Sequence, residues 1–177
     1  MGAPVSAAVL TRTGYVVRPF APEDYGIVHE AIRAAGGPAL VNDPEEMGRL
    51  YRHKGPAWTA TFDGRVLGCA GVVINWIGCG VAWLVMTPEG RENHPLVAAR
   101  LVRRLLPEAA RGLRRLEADV LEGWEAGERL MRWLGFEKES RMPQYGPRGE
   151  AFCKWAFFPY NSSIVDDVPR ETRGRCA

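Results

Sequence analysis

Apolar residues recur along this chain with two different periods, and the changes between them sketch the fold. Residues 15–19 (Tyr-Val-Val-Arg-Pro) read as a short strand stopped by proline. Pro22-Glu23-Asp24 then open a helix, because proline suits a first turn and acids suit the positive end of the helix dipole. Ile27, Val28, Ala31 and Ile32 continue it at helical spacing, and Gly36-Gly37-Pro38 end it. Asn42 or Asp43 is placed to cap a second helix through Pro44, Met47, Leu50 and Tyr51. The period then falls to two. Trp58, Ala60 and Phe62 alternate with Thr59 and Thr61, as in a half-buried strand. Asp63-Gly64 is a hairpin signal. Apolar runs at 66–74 and 80–86, joined by a turn at 75–78, complete an antiparallel meander of three strands.

Thr87-Pro88-Glu89-Gly90 lead into a further helix with Pro95 in its first turn. Ala98, Val102, Leu105 and Ala109 form its expected buried stripe, while Arg100, Arg103, Arg104 and Arg111 face outward. Pro107 is expected to end or kink it. Residues 116–121 alternate apolar and acidic side chains as a strand, and 125–134 form a helix carrying Leu130, Met131 and Leu134. Gly135 takes the position after that helix, with Phe136 as the hydrophobic contact beyond it. The aromatic run 152–158 is a last strand. This order predicts an α/β (α+β) fold: a mixed, mostly antiparallel central sheet flanked by helices. The expected domain is 15–158, with an N-terminal arm at 1–14 and a polar C-terminal extension at 159–177.

At 177 residues, 46% apolar and 25% charged, the chain has the size and composition of one globular domain. Its net charge of +2 carries no global signal for nucleic acid, and the arginines around 100–115 read as a solvated face without a nucleic-acid motif beside them. No apolar run approaches the ~20 residues of a membrane helix. No basic segment precedes residues 7–10, which argues against a secretory signal. Met1-Gly2 with Ser6 fits the short myristoylation pattern, although a plain N-terminal arm explains the same residues. Cys69, Cys79, Cys153 and Cys176 match neither zinc nor redox spacing, and they point to a reduced compartment. Six tryptophans exceed what a core of this size needs, and Trp76 beside Ile77 is expected at an exposed turn.

Across 15–158 the element order resembles the GNAT N-acetyltransferase superfamily, with Leu134-Gly135-Phe136 matching the family's helix ending. A narrower resemblance, to GNAT-like tailed-bacteriophage proteins grouped with internal virion protein A, rests on 82–88, 93–96 and the arginine-rich helix after them, and is continued by Gln144-Tyr145-Gly146, Gly149-Glu150 and Cys153-Lys154-Trp155. It implies a virion-associated or assembly component, located in the bacteriophage virion or the host cytoplasm. Its partners would be other virion proteins or further copies of itself, met through aromatic surface and the terminal arms.

The superfamily resemblance also implies an acetyl-CoA site on the segment after residue 86. Met86, Gly90, Arg91 and His94 are its candidate cofactor-binding residues. The physics of such a site is a helix N-terminus with free amides and glycines that let phosphate approach. Here Gly90 is the sole glycine of the stretch, Pro95 removes a donor, and Glu89 and Glu92 add negative charge. Counting back from Phe136, the family's catalytic tyrosine falls at Met131 and its asparagine at Trp124. Methionine has no proton to give, and indole is only a donor. Tyr145 and His94 are the remaining candidates for proton transfer, and no metal-ligand spacing is present. These replacements point first to a noncatalytic protein with a degenerate acetyl-CoA site. The alternative is an active acetyl-CoA-dependent N-acetyltransferase acting on a primary amine.

Overall fold

The computed structural model describes residues 9–11 and 14–159. The C-terminal extension beyond Pro159, Cys176, and Gly2 with most of the N-terminal arm lie outside them. The elements are β1 (Val9–Thr11), β2 (Tyr15–Pro19), α1 (Pro22–Ala34), α2 (Pro44–Lys54), β3 (Ala57–Phe62), β4 (Arg65–Trp76) and β5 (Cys79–Met86). They continue with α3 (Pro88–Asn93), α4 (Pro95–Ala109), β6 (Arg115–Leu121), α5 (Glu125–Leu134), β7 (Glu137–Met142) and β8 (Phe152–Phe157). One sheet holds all the strands in the order β1-β2-β3-β4-β5-β6-β8-β7. Every pair is antiparallel except β5–β6, which is parallel and is bridged by α3 and α4.

Local chemistry accounts for most boundaries. Asp63 and Gly64 both take positive φ (46° and 79°), the requirement of the tight β3–β4 hairpin. Asp43 caps α2 by accepting the Glu46 amide at 2.9 Å. Gly135 is left-handed at φ 86°, and its amide and that of Phe136 return to the Arg132 and Met131 carbonyls. That is the Schellman closure. Phe136 is thereby driven into the core, where it stacks on Phe157.

Four features depart from the sequence reading. Val9–Thr11, placed in the arm, pair with β2 as an edge strand. Residues 88–93 form a short helix of their own ahead of α4, where one helix was expected. Pro107 does not end α4, which runs to Ala109. The bond that Pro107 forgoes would fall to the carbonyl of Arg103, an exposed residue where water can replace it. β7 carries no signal in the sequence: Glu137 to Arg141 are exposed, so this sheet edge shows no apolar alternation.

Two cores lie on opposite faces of the sheet. On one, α4 and α5 cover Leu116, Ala118, Val120, Cys153, Trp155 and Phe157. On the other, α1 and α2 cover Phe20, Ala57 and Cys69, with Trp83 and Val85 packed beside them. Asp24, in the first turn of α1, is 3% exposed. Its carboxylate accepts both Arg18 terminal nitrogens (2.6 and 2.7 Å), the Thr59 hydroxyl (2.6 Å) and the Ala21 amide (3.1 Å). Burial pushes the Asp24 carboxyl up, but the bonds from Arg18, Thr59 and Ala21 outweigh it and hold the group below the usual carboxylate range. Cys69, Cys79 and Cys153 are buried and free, and burial pushes the Cys69 thiol up to about 12. Among the described residues, no helix is long and apolar enough to cross a membrane.

Candidate active site

The sheet opens in its middle. β5 and β6 are in register only at Cys79–Arg115, Gly80–Leu116 and Val81–Glu117. Beyond Val81, β5 keeps β4 on one side and, among the described residues, has no strand on the other. The backbone amides and carbonyls along 82–86 that face away from β4 are therefore open to pair with an extended ligand, as at any open strand edge. The gap is a cleft of about 470 Å³, within the range of small-ligand sites. Its walls are β5 and β6, with Leu105, Leu130 and Met131 from α4 and α5 on one face and Tyr25 and Tyr51 from α1 and α2 on the other. Leu40 and Val41, in the segment between α1 and α2, border its rim. Burial pushes the Tyr25 and Tyr51 hydroxyls up, so both stay neutral donors at physiological pH.

The four candidate cofactor residues divide. Met86 and Arg91 border the cleft. Gly90 and His94 line instead a small void of about 50 Å³ between the sheet and α4, which Met86 also touches. Gly90 has a packing role: a Cβ there would meet the Leu67 carbonyl oxygen at 2.3 Å. Its amide is already used by Thr87 Oγ1 at 3.0 Å, and Thr87 in turn donates to the Leu67 carbonyl. Gly90→Ala is expected to destabilise the fold by about 1–3 kcal/mol through this backbone clash. A lowered urea midpoint would show it, and an unchanged midpoint would remove the packing explanation.

His94 is tied to the ends of β2 and β3. Its Nδ1 lies 2.7 Å from the Tyr15 hydroxyl, and its ring packs on Phe62. It caps α4 through its backbone, the Ala98 amide returning to its carbonyl, with no side-chain cap. Arg91 is 63% exposed and pairs with Glu92 at 3.2 Å. Pro95 is the first residue of α4, so Leu96 and Val97 provide first-turn amides without intrahelical acceptors.

Met131 lines the cleft from α5. Trp124, half exposed, lies on Gly127, where a Cβ would touch its ring at 2.3 Å. Tyr145 comes from the loop between β7 and β8 and donates to Asp119 Oδ2 at 2.6 Å. That bond pushes the Tyr145 hydroxyl up, so it remains protonated. Asp119 itself borders the cleft. Neither Asp119 nor the pair Tyr51 and Trp83 stands out in the sequence as a site residue. The alternation of acids on 116–121 was the available signal for Asp119, but nothing local says which of Glu117 and Asp119 meets a cavity. Arg100, Arg103 and Arg104 on α4, and Arg111 in the turn after it, are exposed. Trp76 and Ile77 form a bare hairpin tip, 65% and 89% exposed.

No protein-family model and no curated protein matches this chain. Solved structures do match it in shape. The yncA protein of Salmonella typhimurium, a candidate acetyltransferase with its cofactor acetyl-CoA, is 19% identical, with a TM-score of 0.68 over 88% of this chain and 100% of that one. A spermidine N-acetyltransferase from Vibrio cholerae is 14% identical, with a TM-score of 0.63 over 82% and 94%. A GNAT-family acetyltransferase from Bacillus anthracis is 14% identical, with a TM-score of 0.60 over 84% and 97%. The chain thus has the GNAT acetyltransferase fold. The narrower bacteriophage resemblance and the virion role expected from it find no support among these neighbours.

Proposed function

We propose that this chain is an acyl-CoA-dependent N-acyltransferase, with acetyl-CoA as its acyl donor. The observation that carries this reading is the open β5 edge facing β6 across an apolar cleft. Such a slot suits a narrow, amide-bearing arm, because strand-edge groups pair with its amides while apolar walls cover its methylenes. The presence of acetyl-CoA in the yncA neighbour supports the same assignment.

The fit is good for the arm and thinner for the diphosphate. Gly90's amide is committed to Thr87, and Pro95 lacks one. Arg91 and the first-turn amides of Leu96 and Val97 would hold the anion. Bound acyl-CoA supplies an activated acyl group as a thioester. The chain's own part is to orient it along 82–86, to exclude water with the α4–α5 wall, and to admit an acceptor from the α1–α2 side. Met131 adds cover at the cleft and no proton chemistry.

Calorimetric titration with acetyl-CoA is the test. A Kd below ~100 µM, about −5.5 kcal/mol, is expected. Arg91→Ala should weaken it roughly 10-fold, the loss of one charge-assisted bond to phosphate. No heat of binding at millimolar acetyl-CoA would rule the reading out.

A further inference from the structure

The register of β5 on β6 fixes what faces what across the split. Val81 is the last β5 residue paired, to Glu117. Two residues on, Trp83 and Asp119 stand level on opposite lips. Alternation puts both on the α1–α2 face, since Ala118 and Val120 point to α4 and α5 while Trp83 packs with the α1–α2 core. Trp83 is stacked on Tyr51, ring centroids 4.1 Å apart and 14° from parallel. One lip of the cleft is therefore an aromatic wall and the other a carboxylate.

The carboxylate belongs to a network with an uneven charge count. Lys154 Nζ lies 2.7 Å from Asp119 and 3.2 Å from Glu117. Arg115 pairs with Glu117 and Glu139. Three carboxylates face two cations, so the network carries one negative charge in excess, shared among Asp119, Glu117 and Glu139. The Tyr145 hydroxyl holds Asp119 in place without neutralising it. Arg91 is the other charged side chain among the described residues lining this cleft, and the remaining lining is chiefly apolar.

We infer that the acyl acceptor is a small primary amine with a single positive charge and an apolar body. Its ammonium pairs with Asp119, and its body lies on the Trp83–Tyr51 wall, where an aromatic face also attracts the cation. A polyamine would bring further positive charges to a lip that has one charge to offer and Lys154 beside it. Over the reaction the acceptor nitrogen bonds to the acyl carbon as the carbon–sulphur bond breaks. The ammonium loses two protons, one ending on the departing sulphur and one in solvent. This assignment rests on the acyl-CoA reading of the cleft.

The experiment measures thiol release by the full chain from acetyl-CoA with phenethylamine, spermidine or a lysine-containing peptide as acceptor. Phenethylamine should be preferred in kcat/KM by roughly 10-fold or more, and Asp119→Asn should raise its KM roughly 10-fold with a smaller change in kcat. Quenching of tryptophan fluorescence by phenethylamine gives a readout without turnover, and Asp119→Asn should weaken it in parallel. Preference for spermidine or the peptide overturns the inference, as does an Asp119→Asn enzyme with unchanged KM. If acetyl-CoA binds calorimetrically and phenethylamine neither quenches nor reacts, this inference fails while the acyl-CoA reading stands. If acetyl-CoA does not bind, both fail.

Discussion

Replacing Asp24 with alanine is expected to destabilise the protein by about 2–4 kcal/mol, because it leaves a buried hydroxyl and a partly buried guanidinium without their charged acceptor. At roughly 2–4 °C per kcal/mol for a domain of this size, the melting temperature should fall by about 10 °C. The reason lies in what the substitution leaves behind. Thr59 is fully buried, and its hydroxyl would lose its 2.6 Å acceptor. Arg18 would lose a bidentate partner, and the Ala21 amide at the start of α1 its 3.1 Å bond. Asp24→Asn keeps the shape and removes the charge, so its loss should be smaller. The pH dependence has a definite sign. The folded-state pKa of Asp24 is depressed, so its contribution is fully present above the ordinary carboxylate range. It is lost as pH falls through the folded-state value. Thermal melts of wild type and Asp24→Asn should therefore differ most at neutral pH and converge in acid. Equal melting temperatures at pH 7 would show that the network does not anchor α1.

Ala82→Trp is expected to lower acetyl-CoA affinity by roughly 100-fold or more, a change of about 2.7 kcal/mol. Ala82 is half-buried where β5 parts from β6, and it borders the cleft. An indole there fills the space between the strands and covers the edge that would pair with a ligand. Leu130→Trp narrows the same cleft from α5 and should act in the same direction. Ile77→Ser, at the exposed hairpin tip, is the control and should leave binding unchanged. Circular dichroism and melting curves separate a blocked cleft from a damaged fold. Wild-type affinity in both folded tryptophan variants would place the acyl donor elsewhere.

Elements governed by short-range chemistry were legible from residue order alone. The Asp63-Gly64 hairpin, the α5 ending at Gly135-Phe136 and the Pro22 start of α1 each depend on residues within a few positions of one another. β7 was illegible because an edge strand exposed on both faces has no apolar period to read. α3 was illegible because its side chains, Glu89 to Asn93, are mostly polar, and its cue is the Thr87 cap that also ties it to Leu67.

The candidate site divides along the same line. Residue order places Met131 where the resemblance wants a tyrosine and Pro95 where a donor is wanted, and the chemistry is local in both cases, since methionine has no proton to give and proline no N–H. It could not assign Gly90 to packing, since the Leu67 carbonyl that excludes a side chain there is 23 positions away along the chain. Nor could it bring Tyr51, Trp83 and Asp119 to one cleft, because they arrive from α2, β5 and β6. Period and caps are encoded within a turn or a strand, so the chain announces its elements and their buried faces. The opening of the sheet after Val81 depends on how two strands separated by α3 and α4 pair and then part. That pairing is non-local, and only the folded structure shows which side chains meet across it.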